Sequence, residues 1–292
     1  MKEFRETAVL GVGLIGGSLA AAFRKKSISE KIIGIDIDEE NLLRAKKMNI
    51  IDEGYTEIGS NLNNSDLIIL AAPIFNILGI LDKLPYSKET RQIIIDTGST
   101  KKEILKKAEN KFSGQENRFF IGGHPMAGSE KSGVKFADPE LFVEAPFILT
   151  PAADTDRKIV EKIKNVLKKI GCRVYIIDAE EHDRCAAVLS HLPHLVSAVL
   201  LNTACSEREK EKLYRLAGSG FYDMTRIAGG SPELWQDIFW TNRDNLEDVL
   251  GKYIKNLENI KEKLSKNDKN GVFEILKQGA ENKIFVSREG KD

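Results

Sequence analysis

A glycine turn between a strand and a helix, answered by an acid 20 positions later, constrains this chain more than any other feature. Thr7-Ala8-Val9-Leu10 reads as a short apolar strand running into Gly11-Val12-Gly13-Leu14-Ile15-Gly16. An apolar, Ala-rich helix pattern follows (Leu19, Ala20, Ala21, Ala22, Phe23), and a second strand, Ile32–Ile35, ends on Asp36. The glycines permit a tight turn and close backbone approach to a pyrophosphate, and the helix N-terminus supplies free N–H groups and positive dipole. The acid accepts hydrogen bonds from an adenosine ribose. The glycine pattern alone is weak. With strand, helix, second strand and acid in place, it predicts a dinucleotide site holding Gly11, Gly13, Leu14, Ile15, Gly16 and Asp36.

Strands alternate with helical patterns over the first 178 residues. Residues 39–48 read as a helix. Asp66–Ala72 and Arg91–Asp96 are near-continuous apolar runs, as expected of strands buried on both faces. Pro73 ends the first of them. Phe119–Ile121 leads into a loop at Gly122-Gly123-His124-Pro125, Pro146–Thr150 is a further strand, and a Lys-rich helix (155–170) precedes Cys172–Asp178. Repeated βα units predict an α/β fold with a mostly parallel Rossmann-type sheet. From Ala179 no convincing strand recurs, and helical periodicity covers 181–204, 209–217 and 232–287. The prediction is a dinucleotide-binding domain over 1–178 and an all-helical domain over 179–292. The first helix of the second domain is apolar nearly all round, which means deep burial or a subunit interface.

Length agrees, since 292 residues at roughly 150 per domain suggest two domains. Lys+Arg and Asp+Glu are both 44, so no global field draws nucleic acid, and an anionic ligand must be met by local cations. Three cysteines, Cys172, Cys185 and Cys205, form no CxxC pair and suggest reduced thiols in a cytoplasmic protein. No signal peptide is expected. The longest apolar candidate for a membrane span, Leu67–Leu81, is too short and is broken by Pro73, Asn76 and Gly79.

Ligands of open α/β sheets sit at the carboxyl ends of the strands. That directs attention to Ala71-Ala72-Pro73, Asp96-Thr97-Gly98-Ser99 and Gly122-Gly123-His124, with Ala72, Pro73 and Ser99 expected beside the cofactor. His124 is either a general base next to the nicotinamide or a loop histidine capping a backbone group. Ser99 is either a ligand contact or the N-cap of a helix starting near Lys101. Ser190, His194 and Ser197 form one polar stripe on the apolar helix, kinked at Pro193, whose ring removes an N–H and crowds the carbonyl of Leu189. His191 and His194 read as ligand contacts or as satisfied core histidines, and a metal lacks a third ligand at helical spacing. Arg226 suits a carboxylate, or pairs with Asp223 at i, i+3 on the surface. Trp235 and Trp240 are core or interface by default.

Together these residues resemble the prephenate dehydrogenase family of tyrosine biosynthesis, with its arogenate and cyclohexadienyl dehydrogenase relatives. The marks are GVGLIGGSLA at 11–20, Asp36, DTGSTK at 96–101, GGHPMAGSE at 122–130, SHLPH at 190–194 and GFYDMTRIA at 220–228. The resemblance spans nearly the whole chain. It implies conversion of prephenate and NAD⁺ into 4-hydroxyphenylpyruvate, CO₂ and NADH. It implies His124 as acceptor of the hydroxyl proton and Ser99 as the residue that orients nicotinamide and hydroxyl. It further implies Arg226 on a substrate carboxylate, and Ser190, His194 and His191 lining the pocket. Ser129, Glu130 and Asp223 would surround the pocket mouth, with Glu130 or Asp223 pairing with Arg226 when substrate is absent. Trp235 matches a position that some relatives contribute across a dimer. Tyr222 departs from relatives that carry Lys there. Asp36 argues for NAD, since a carboxylate repels a 2′-phosphate. The implied partners are prephenate or arogenate, tyrosine as feedback inhibitor and a second copy of the chain, with no nucleic acid, membrane or metal. The rival readings are an arogenate dehydrogenase, another 3-hydroxyacid dehydrogenase of the same build, and a non-catalytic dinucleotide-sensing regulator.

Overall fold

The computed structural model describes residues 2–86, 88–128, 131–153, 155–207 and 214–289. The strands are β1 (Phe4–Leu10), β2 (Ser29–Ile35), β3 (Glu53–Tyr55), β4 (Leu67–Leu70), β5 (Gln92–Asp96), β6 (Arg118–Pro125), β7 (Pro146–Pro151) and β8 (Arg173–Ile176). They form one sheet in the order β3-β2-β1-β4-β5-β6-β7-β8. Neighbours from β3 to β6 are parallel, β7 runs antiparallel to β6, and β8 is parallel to β7. Between them lie α1 (Leu14–Lys25), α2 (Glu39–Lys47), α3 (Ile74–Lys83), α4 (Lys102–Phe112) and α5 (Arg157–Lys169). Alternate strand residues feed two cores. Val9, Ile69 and Ile95 pack with Leu19 of α1 and Ile163 of α5, while Ala8, Ile68 and Ile94 pack with Ile77 of α3 and Ile104 of α4. Both faces being covered accounts for the near-continuous apolar runs. The sequence pattern does not reveal β3 or α3, the latter starting directly after Pro73 at its N-cap.

Beyond β8 every described element is helical: α6 (Ala179–Ala186), a π turn (Ala187–His191), α7 (Leu192–Ser206), α8 (Ser219–Thr225), α9 (Pro232–Thr241), α10 (Arg243–Ser265) and α11 (Lys269–Glu289). Most of the helix expected over 209–217 lies outside the described residues. The kink expected at Pro193 takes the form of the π turn, whose wider winding accommodates a ring that would crowd the carbonyl of Leu189.

Deep burial of this helical run is not observed. Leu189 is 72% and Val199 54% exposed. By length and composition, Ala179–Ser206 is long and apolar enough to cross a membrane, which Leu67–Leu81 is not. Its histidines and Asp183 are nonetheless buried, and Asp183 is bonded to the start of α4, so part of this helix serves domain packing.

By internal contacts the chain divides into Met1–Arg243 and Asp244–Asp292. Residues 179–243 group with the sheet because they are bonded into it. Asp183 caps α4, Asn242 bonds the carbonyl of Asp183, and Ile238 joins the apolar core of the α3 and α4 face.

Candidate active site

The glycine turn has the geometry that a pyrophosphate requires. Gly11 has φ +93, and a Cβ there would lie 2.3 Å from the carbonyl oxygen of Ala71. A Cβ on Gly16 would lie 2.1 Å from the carbonyl oxygen of Gly11. Gly13 is the N-cap of α1, provides no side-chain cap, and faces open space. Leu14 and Ile15 therefore start a helix whose first N–H groups no side chain occupies. Asp36 Oδ2 accepts from Val12 N at 2.7 Å and Oδ1 from Asp38 N at 3.0 Å, so the acid also clamps the turn to the end of β2. Each oxygen keeps a second lone pair for a ribose hydroxyl. Ala72 is half-buried and Pro73 exposed at the end of β4. These residues fit a dinucleotide.

His124 corrects the sequence reading. It stands inside β6 rather than in a loop, opposite Ile148 of β7. Pairing with β7 carries the strand on through the glycines. Their lack of side chains is required, since a Cβ on Gly123 would lie 2.5 Å from the carbonyl oxygen of Asp96, and one on Gly122 2.1 Å from Thr150 Oγ1. His124 Nδ1 lies 2.8 Å from His182 Nε2, and His182 Nδ1 lies 2.7 Å from Asp183 Oδ1. Burial first, then the neighbouring His182, Lys101 and His191, hold His124 well below the ordinary histidine range, so its imidazole is neutral at physiological pH.

Ser99 is half-buried, and its hydroxyl has no protein partner among the described residues. The N-cap alternative fails, because the cap position is Lys101 without a side-chain bond. The freed donors go to Asp183, whose Oδ1 accepts from Lys101 N at 2.8 Å and Oδ2 from Lys102 N at 3.0 Å. Lys101 itself is fully buried, its Nζ bonded to Asp96 and, at 2.7 Å, to the carbonyl of Gly123. Asp96 and Lys101 lie in the DTGSTK motif without a role assigned to them, and no sequence pattern points to His182, Asp183 or Asn242. One signal is present all the same: the chain has four histidines, and the other three all fall in motifs of the site.

The helical residues are brought to this cluster unequally. Ser190 is half-buried in the π turn, and His191 and His194 are buried. Asn242 Nδ2 lies 2.7 Å from the carbonyl oxygen of Asp183 and 3.0 Å from His191 Nδ1. With Nδ1 accepting, the His191 proton sits on Nε2, a buried donor with no partner among the described residues. Trp235 stacks on His194 of its own chain at 3.6 Å between ring centroids. Burial lowers the His194 pKa. Asp223 and Arg226 are exposed and do not pair with each other, and Arg226 has no ion-pair partner among the described residues. Ser129 and Glu130 lie outside the described residues. Trp240 and Tyr222 are exposed, and the three cysteines are free thiols, with Cys172 pushed up to about 12 by burial. Among the described residues no group of three or more His, Cys, Asp or Glu side chains could hold a metal ion.

His191 carries a pH prediction. Burial holds it down to about 4, outweighing the opposing pull of Asp183. The unfolded chain binds a proton near pH 6.5 and the native state resists it, so stability is complete above about 6.5 and is lost as pH falls toward about 4. The loss is about 1.4 kcal/mol per pH unit from this group. Thermal unfolding of the wild type and of His191→Asn across this window should show a shallower acid decline in the variant. Parallel curves would count against the assignment.

The family model of the prephenate dehydrogenase nucleotide-binding domain matches residues 19–176, and that of the prephenate dehydrogenase dimerization domain matches 178–278. The chain belongs to the prephenate dehydrogenase family. Within the family it is 38% identical over 280 residues to prephenate dehydrogenase of Bacillus subtilis, covering 95% of this chain and 75% of that one. It is 30% identical to cyclohexadienyl dehydrogenase of Zymomonas mobilis, covering 99% and 98%. The crystal structure of Aquifex aeolicus prephenate dehydrogenase in complex with hydroxyphenyl propionate and NAD⁺ superposes with a TM-score of 0.87 at 33% identity, covering 99% of this chain and 98% of that one. The Rossmann-type sheet followed by helices is the fold of this family.

Proposed function

We propose that this chain is a soluble cytoplasmic enzyme that oxidatively decarboxylates prephenate with NAD⁺, giving 4-hydroxyphenylpyruvate. The observation that carries the reading is His124, neutral and buried near the carboxyl end of β6, with Nε2 unbonded to any described protein group. NAD⁺, held by Gly11, Gly13, Leu14, Ile15, Gly16, Asp36, Ala72 and Pro73, supplies the hydride acceptor. Oxidation builds carbonyl character at the ring carbon bearing the hydroxyl, and His124 Nε2 takes the hydroxyl proton as the ring carboxylate leaves as CO₂ and aromaticity forms. Ser99, with its free hydroxyl, orients that group. Ser190, His191 and His194 wall the pocket, with Trp235 fixing the ring of His194. Arg226 takes a substrate carboxylate, with Asp223 near it in the chain on the same helical segment. A boundary at residue 178 would leave the cofactor turn, Ser99 and His124 before it and Ser190, His191, His194 and Arg226 after it. The apolar face that leaves Leu189 and Val199 open supports a homodimer. Tyr222 is uncharged where some relatives carry Lys, and arogenate is the alternative substrate. Tyrosine, resembling the product, competes at the same pocket.

Steady-state assays should show NADH formation with CO₂ release from prephenate, faster with NAD⁺ than with NADP⁺, and inhibition by tyrosine. Arogenate in parallel ranks the two substrates. Turnover confined to an aliphatic 3-hydroxy acid would sink the reading. Arg226→Gln should raise KM for prephenate about 10- to 100-fold, as expected for loss of a charge-assisted bidentate pair, with KM for NAD⁺ unchanged. An unaltered prephenate KM would remove Arg226 from the carboxylate site.

A further inference from the structure

We propose that His182 and Asp183 are positioning residues that fix the tautomer of His124 and share the charge it acquires. The inference rests on the reading of His124 as proton acceptor and adds two residues that neither the sequence pattern nor the family resemblance assigns. Asp183 meets three nitrogens: Lys101 N, Lys102 N and His182 Nδ1. A carboxylate offers only lone pairs, so His182 must carry its proton on Nδ1. In the neutral ring its Nε2 is then an acceptor, and the atom 2.8 Å away, His124 Nδ1, is the donor. That leaves the His124 Nε2 lone pair bare. The protonation order follows from the backbone, because the N–H groups opening α4 hold the carboxylate and cannot be anything but donors. Asn242, bonded to the Asp183 carbonyl, holds the other side of the same residue. The side chains of His124, His182 and Asp183 are all buried, so water does not compete for these bonds. When Nε2 takes the substrate proton, the new positive charge on the imidazole is met through Nδ1–H···Nε2 of His182 and, beyond it, by the Asp183 carboxylate. Only one proton moves, from hydroxyl oxygen to His124 Nε2. The arrangement follows the logic of a base oriented by a second group that a carboxylate holds in turn.

The decisive measurement is ¹⁵N NMR of histidine-labelled protein bound to NAD⁺, each of the four histidines being assigned by its own His→Asn variant. His124 should show a protonated Nδ1 and a bare Nε2. Protonation of Nε2 instead would overturn the proposal whatever the kinetics of the variants. Kinetics supply the second arm. His182→Gln keeps a carbonyl that can accept from His124 Nδ1–H and should retain kcat within about tenfold. His182→Leu cannot accept and should lose kcat by about 100-fold, with both KM values within about threefold. Equal kcat in the two variants, or a loss expressed in KM, would mean that His182 serves packing only. If His124→Asn proves active, the proton-acceptor reading fails. If it is inactive while His182→Gln and His182→Leu keep equal kcat, the positioning proposal alone fails.

Discussion

His124→Asn should lower kcat with prephenate by about 10²- to 10⁴-fold, the usual contribution of a positioned general base. Affinity for NAD⁺ should stay within about threefold, because the glycine turn and Asp36 sit on β1, α1 and β2 and make no contact through His124. Asparagine can offer a hydrogen bond but cannot take a proton at neutral pH. The wild-type pH profile provides a companion signature. Since burial, His182, Lys101 and His191 all depress the His124 pKa, the acid limb of kcat/KM should lie well below the roughly 6.5 of a free imidazole. The sign is fixed: a lowered pKa keeps the base neutral at lower pH, so activity extends further into acid. An acid limb at or above 6.5, or near-normal turnover of the variant, would remove His124 from the proton-acceptor role.

Lys101→Met should destabilise the fold more than any substitution at His124, His191 or Arg226. Lys101 and Asp96 are both completely buried, and their side chains bond each other at the end of β5. Asp96 also accepts from Gly98 N at 2.8 Å and Gly123 N at 3.1 Å, so it ties the β5 turn to β6 beside His124. Burial pulls the Lys101 pKa down while Asp96 pushes it up, and burial wins. Removing the cation leaves a carboxylate without its counter-charge in a dry interior, a loss of about 3–5 kcal/mol. That lowers the melting temperature by on the order of 10 °C for a chain of this size. The double variant Lys101→Met, Asp96→Asn should melt above the single variant, because the unpaired charge is gone. Thermal unfolding monitored by circular dichroism checks both points. A single variant melting within about 2 °C of wild type would show that Asp96 needs no counter-ion there.

The glycine turn, the strands around Val9, Ile33, Ile69 and Ile94, and the change to helices after β8 are legible because each is written in neighbouring residues. Glycine conformational freedom, apolar runs and the 3.6-residue period are local signals. His124 can be singled out from its motif, yet its element cannot. Phe119-Phe120-Ile121 reads as a strand, but nothing local shows that Gly122-Gly123-His124 extends it. That extension depends on β7, where Ile148 pairs with His124 from 24 positions along the chain. Lys101 is easily passed over, because a lysine reads as surface unless its partner is visible. Pro193 signals a disturbance in its helix, and the form of that disturbance, a π turn rather than a simple kink, is not written beside it.

Local sequence was enough to point to a dinucleotide and to favour NAD, since Gly11, Gly13, Gly16 and Asp36 lie within 26 consecutive residues. It was also enough to mark His124, His194 and Arg226 as the residues with chemistry to offer. Which nitrogen of His124 is free was settled by packing alone. That depends on His182, 58 residues away, on Asp183 beside it, and on the first N–H groups of α4, 81 and 82 residues from that aspartate. Backbone preferences are set by adjacent residues. The state of a proton on a buried imidazole is set by whichever distant groups packing brings within hydrogen-bond reach, and no periodicity in the chain records that.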